Sequence, residues 1–217
     1  MNNSYKKNNQ GGYTLLMMAM SLMVIGVISV GGLQAYNIYS VKQKLALNEK
    51  RVADIIQKVQ AYRQLYGRLP CPASLDAARN SAAYGQESNC ADVATIATGN
   101  CVGGICVVAG ARPLVSPRVR IGAIPFRVLQ ADESEVVDAY NNRMLYAVTE
   151  TLGVAATYSE LAGSIDIRNE NAASIINPVG SANFVILSAG ENKMGAFNQE
   201  GIQANPCTAA LPGAGLD

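Results

Sequence analysis

The chain has 217 residues, 49% hydrophobic and 15% charged, with a formal net charge of +1; that length allows one ordinary domain, or one domain with a long appendage. It contains no histidine and no tryptophan, which removes the commonest general base and transition-metal ligand and excludes a Ser-His-Asp or Cys-His site. The near-neutral charge is not the footprint of a nucleic-acid binder.

The first twelve residues, "MNNSYKKNNQGG", are polar, with Lys6 and Lys7 and no acid. From Tyr13 to Leu33 there follow 21 residues without a charge or a proline, enough to cross a bilayer as a helix, which needs roughly 20 apolar residues. A secretory signal peptide would have a shorter apolar region and an Ala-x-Ala type of cleavage site, which "QAYNIYSVKQKL" does not supply. A core helix apolar on every face would need a larger domain than the rest of the chain can build. The expectation is a membrane helix. Lys6 and Lys7 before it and Lys42 and Lys44 after it nearly balance, and the N-terminal amine tips the N-terminus towards the cytoplasm. Gly26, Gly31 and Gly32 each cost about 1 kcal/mol relative to alanine in a helix, which fits either a hinge or close packing of membrane helices.

A basic, polar leader ending in Gly12, followed by Tyr13, Thr14, Leu15 and a long apolar helix, resembles the prepilin signal of type IV pilins and type II secretion pseudopilins. In that family a dedicated peptidase cuts after the glycine and methylates the new N-terminus, so the resemblance puts the cut between Gly12 and Tyr13. The likeness continues in "MVIGVI", where Gly26 stands at the place of the glycine in the family's Ile-Ile-Gly-Ile run. One position departs: the family normally has glutamate at the fifth residue after the cut, to neutralise the N-terminal amine of a neighbouring subunit, and here that residue is Met17. An ammonium held in an apolar bundle needs a partner charge. The loss therefore resembles a minor subunit, particularly one at a filament tip, and counts against an abundant major pilin.

Beyond Leu33 no proline occurs before Pro70. Val41, Leu45, Val52, Ile55, Ile56, Val59, Tyr62 and Leu65 recur at three- and four-residue steps between charged residues, the signature of an amphipathic helix. The two halves together predict one helix from Tyr13 to about Tyr66, about 80 Å long at 1.5 Å per residue. Gly67, Pro70 and Pro72 in "YGRLPCPAS" end it.

Residues 71 to about 120 are rich in loop residues and hold Cys71, Cys90, Cys101 and Cys106; Cys207 stands near the end. Zinc is the alternative reading, but the chain lacks histidine and a CxxC pair, so disulfides in an oxidising compartment are the better account. Cys101 and Cys106 flank a Gly-Gly turn and are the preferred pair. The odd fifth cysteine leaves one thiol free, or a different connectivity. Such a domain lies outside the cytoplasm, which supports an N-terminus-in orientation.

The segments "RIGAIPFRVL", "RMLYAVTETL", "GSIDIRN" and "NFVILSAG" read as extended, giving a sheet of about four strands against the amphipathic helix, an α+β arrangement. "DAYNNRMLYAV" (138–148) and "FVILSAGENKMGAF" (184–197) resemble two further stretches of the pseudopilin-like family, with Tyr140 and Asn141 in place of its Trp-Gly. Asp132, Glu133, Glu135 and Asp138 could form an oxygen-rich calcium site, yet their spacing fits no known calcium loop and a solvated helix face is preferred. Glu191 and Asn192 are no stronger as ligands. Ser164 and Ser188, beside glycines, read as turn residues because a serine nucleophile would lack a histidine base.

The expected architecture is pilin-like and α+β: leader 1–12, transmembrane and polymerisation helix 13–33 (Thr14, Leu15, Met17 and Gly26 among its residues), amphipathic helix 34–69, and a periplasmic globular domain 70–217, the long helix packing on a small antiparallel sheet. The resemblance implies a structural subunit, a minor pilin or pseudopilin, processed by prepilin peptidase and sitting in the bacterial inner membrane by a single pass before joining a filament. Partners would be other pilins or pseudopilins, the peptidase and the inner membrane, with no nucleic acid. No catalytic residue, cofactor or metal is expected. The alternatives are an adhesive or DNA-uptake pilus subunit, or a single-span anchored domain that does not polymerise.

Overall fold

The structure, a computed structural model, describes residues 11–91 and 96–204, with the side chains of 11–14 and 27–34 outside the description. The chain divides into two compact units, Met1–Leu45 and Ala46–Asp217. A single helix, α1, runs over Gly11–Tyr66 and belongs to both. It stops where Gly67 takes a positive φ of 65° and donates its N–H to Arg63 O at 2.8 Å, a glycine C-terminal cap.

The second unit is built on a five-stranded antiparallel sheet in sequence order: β1 (Cys101–Val102), β2 (Ile105–Arg112), β3 (Ser116–Ala123), β4 (Leu145–Thr149) and β5 (Phe184–Leu187). Each strand pairs with the next, with an irregularity in the β2–β3 register between Ala109 and Arg112. Alternation along β4 turns Tyr146 and Val148 to one face, where they join Ile55, Val59 and Tyr62 of α1 in the main core with Met144, Leu152 and Leu69. Val52, Ile55, Val59 and Tyr62 follow three- and four-residue steps, so one stripe of the helix meets the sheet. Burying Ile55 and Val59 completely stabilises the fold by about 1.5–3 kcal/mol each. Beside that stripe Asn48 Oδ1 accepts from Ala139 N at 2.7 Å, Arg51 donates to Val137 O at 2.6 Å and Lys58 to Glu135 at 2.6 Å. The opposite face of the sheet carries a smaller cluster of Ala73, Leu75 and Ala123 with Leu145.

These observations correct the expected fold class. The expected arrangement was one long N-terminal helix, transmembrane in its first half and amphipathic in its second, packed on a small sheet in the pilin manner. Within the second unit the described residues of the helix that join the core run from Val52 to Tyr62, and Val41, Leu45 and Leu65, counted into the apolar stripe, are 51%, 58% and 76% exposed. Among the described residues no helix is long and apolar enough to cross a membrane. The transmembrane helix over 13–33 and the single-pass inner-membrane location are corrected with it, as is a pilin-like character resting on such a span.

Smaller differences are local. The segment "RIGAIPFRVL" is strand only as far as Ala123, because Pro125 cannot continue a ladder. "GSIDIRN" contributes isolated bridges, Ile165 with Ala182 and Arg168 with Ser174, and no strand. The acidic stretch around residue 133 is one short 3-10 turn, Glu133–Glu135.

Candidate functional site

The N-terminal unit offers a surface. Among the described residues from Leu15 to Leu45 none is buried, although they include Leu15 and Met23 at 74% and Leu22 at 70% exposure. The residues are apolar around the whole helix circumference from Leu15 to Ile25. Ser21, the polar exception, returns its hydroxyl to Met17 O at 2.9 Å, a back-bond that satisfies it within the helix. Gly26 leaves open space where a Cβ would stand. Met17 is half exposed, and the first turn of α1 carries no acid. The Gly12–Tyr13 bond lies in that first turn; the side chains of Tyr13 and Thr14 lie outside the described residues.

The cysteines form two bridges, Cys71–Cys90 and Cys101–Cys106. The second joins directly opposed residues of β1 and β2 across Gly103 and Gly104, both at positive φ, the conformation that a two-residue hairpin turn requires and glycine supplies without strain. Cys207 lies outside the described residues. Two disulfides agree with an oxidising compartment.

Of the four acids weighed as a cation site and read as a solvated helix face, three carboxylates go to separate partners, and Asp138 is buried. Glu133 accepts from Arg79 at 2.9 Å and from the Tyr84 hydroxyl at 2.6 Å. Glu135 is paired with Lys58, which holds its carboxyl below the usual range, and also accepts from Asp132 N. Asp138 is 1% exposed. It accepts from the backbone of Tyr140 and Asn142 and from the side chains of Asn142 and Ser188. Among the described residues no three acids or cysteines gather where an ion could be held. Glu191 is exposed, and Asn192 Oδ1 accepts from Met194 N.

Ser188 caps the turn at Gly190 as expected, whereas Ser164, read as a turn residue, is fully buried and bonds to strand residues distant in sequence. Ser188 donates to Asp138 and accepts from Gly190 N, while Ser164 donates to Ser116 O and accepts from Arg112 N. Asp138 and Ser188 bring together the two stretches, 138–148 and 184–197, that the sequence singles out separately. Asn141, standing where the resembled family has glycine, takes φ 64°, a left-handed conformation that asparagine tolerates better than most residues.

Three buried charge clusters were not legible in the sequence. Glu150 lies between Arg120, at 2.6 Å, and Arg118, at 3.3 Å, with all three side chains largely buried. Glu87 receives Arg68, the Tyr62 hydroxyl and Cys71 N. Arg143 sends its guanidinium to the carbonyls of Leu75, Ala77 and Gln199, each at 2.6 Å, over the ring of Tyr84. Burial lowers the Arg143 pKa. Burial, followed by the neighbouring Glu87 or Glu133, pushes Tyr62 and Tyr84 up to about 12. These groups tie loops to the core through hydrogen bonds within the fold. The only hint in the sequence was arginine recurring between apolar strand residues, as in "PRVRIGA".

Comparison with known proteins adds no relative: no family model, no curated protein and no solved structure matches the chain.

Proposed function

We propose that the chain is a structural subunit of a type IV pilus-like or type II secretion filament, a minor pilin or pseudopilin in role, processed by prepilin peptidase between Gly12 and Tyr13. The observation that carries this reading is the apolar helix surface from Leu15 to Ile25, whose described side chains are exposed. Contiguous apolar surface of this kind marks an interaction site. The cover proposed is helix on helix, from neighbouring subunits carrying the same kind of segment. The leader and the run "MVIGVI" support it from the sequence side, and the braced domain from Ala46 onward would present the surface specific to each partner.

Intact N-terminal mass analysis of protein from cells with and without the peptidase tests the proposal. A mature chain beginning at N-methylated Tyr13 only when the peptidase is present is the expected result. A Met1 start in both strains refutes it.

A further inference from the structure

The two disulfides sit in opposite environments. Cys71 and Cys90 are 1% and 2% exposed, and Gly153 closes over them: a Cβ on that glycine would stand 2.6 Å from Cys90 Sγ and 2.7 Å from Cys71 Sγ. Neither cysteine presents more than 2% of its surface to an attacking thiolate. Cys101 is exposed and Cys106 half-buried, on the outermost and shortest strand pair of the sheet. Exchange requires access of the attacking thiolate to a sulfur, so exposed bridges are the reactive ones.

We infer that Cys101–Cys106 is a thiol–disulfide exchange site, a reducible clasp on the edge of the sheet, while Cys71–Cys90 is a permanent structural bridge. The co-reactant is a dithiol. Its thiolate attacks Cys101 Sγ, the Cys101–Cys106 bond breaks and Cys106 leaves as a thiolate. The second thiol of the dithiol then attacks its own sulfur in the mixed disulfide and releases Cys101. The protein gains two thiols by a two-electron reduction, and the dithiol becomes a disulfide.

Opening the clasp has a defined structural consequence. β1 is held to β2 by only two residue pairs, Cys101 with Cys106 and Val102 with Ile105. The neighbouring loop is attached through Val107 N to Asn100 O at 3.0 Å, Gly99 N to Val107 O at 2.7 Å, and Leu75 N to Gly104 O at 3.0 Å. Beneath it lies a small apolar cluster of Ile96, Ile105 and Val107. So short a strand is marginal without a cross-link. Reduction frees β1, uncovers Ile105 and Val107 and leaves β2 with an unpaired edge, the kind of surface that takes up another strand. This inference does not depend on the filament role.

The test uses the oxidised full-length chain in native buffer. It is exposed to dithiothreitol for graded times, quenched with iodoacetamide and mapped by peptide mass. Cys101 and Cys106 are expected to take up label at least roughly tenfold faster than Cys71 and Cys90. Equal rates, faster labelling of the buried pair, or no labelling of either pair before denaturant is added would overturn the assignment. Hydrogen exchange at the Val107 amide, read on the selectively reduced chain, is expected to quicken by roughly tenfold or more. An unchanged rate there would overturn the opening of the edge.

Discussion

Ser188 Oγ donates a 2.8 Å hydrogen bond to Asp138 Oδ2 from fifty positions further along the chain. Asp138 is the acceptor around which the 138–142 turn closes, and Ser188 fastens the exit of β5 to that turn. Asp138→Ala leaves the buried Asn142 N–H and three other donors without their acceptor, at an expected cost of about 3 kcal/mol or more, whereas Ser188→Ala removes one bond and costs about 1 kcal/mol. Urea unfolding of the full chain compares them. Equal, small losses would mean that water replaces the carboxylate and that Asp138 is no organising residue.

The helix is expected to divide energetically at the boundary between the units. Ile55→Ala creates a cavity against Tyr146 and Val148 and is expected to cost about 2–5 kcal/mol. Leu45→Ala, at a position 58% exposed, changes the stability of the isolated subunit by less than about 0.5 kcal/mol. The same denaturation measurement decides, and a large loss at Leu45 would place that residue in an intramolecular contact.

Two acids of the sheet unit, one buried and one exposed, are predicted to differ sharply. Glu150→Ala leaves Arg120, whose side chain is 3% exposed, as a buried charge short of its counterion, at about 3–5 kcal/mol. Glu160→Ala breaks a pair with Arg63 in which the acid is 65% exposed, and costs less than about 1 kcal/mol. Thermal melts of both variants would show the contrast; similar midpoints would argue against a dry Arg120–Glu150 pair.

Alkaline pH gives a further check. Tyr62 and Tyr84 are held at about 12, above the ordinary value of 10.0, chiefly by burial. Their folded pKa is the higher one, so the unfolded chain loses these protons first as pH rises. Their contribution is fully present below pH 10 and is lost between about pH 10 and 12, on the order of 2 kcal/mol for each tyrosine. Tyr62→Phe is expected to flatten the fall in stability across that window. An unchanged slope would show that the phenol is hydrated in the folded state.

The filament proposal makes its own prediction at Met17. Met17→Glu supplies a carboxylate at the fifth residue after the proposed cut, where it can pair with the N-terminal ammonium of a neighbour. Incorporation along the filament shaft, measured by quantitative immunoblotting of sheared filaments, is expected to be maintained or to rise. Reduced incorporation would sink the argument that the missing acid confines the subunit to a tip.

Features encoded over a few residues were readable from the sequence. The stripe Val52, Ile55, Val59, Tyr62 follows from helical spacing, the end of α1 from Gly67 and the prolines, and the Cys101–Cys106 hairpin from a Gly-Gly pair between two cysteines. What failed was reading the same periodicity as contact along the whole helix. Val41, Leu45 and Leu65 keep the pattern and remain more than half exposed, since an apolar stripe states which side of a helix seeks cover and leaves open what covers it.

By itself the sequence determined the local conformations of this protein: a helix unbroken by proline to residue 66, a turn at Gly103–Gly104, and a strand on either side of the acidic segment. It also excluded histidine chemistry outright. Only the tertiary structure decided which polar groups meet, because Asp138 with Ser188, Arg120 with Glu150, and Arg143 with the carbonyls of Leu75 and Gln199 join positions 30 to 68 residues apart. Periodicity has no reach over such distances. The burial that makes these pairs strong and their loss costly is a property of the assembled core, and so is the burial that separates an inaccessible Cys71–Cys90 bridge from an open one at Cys101–Cys106.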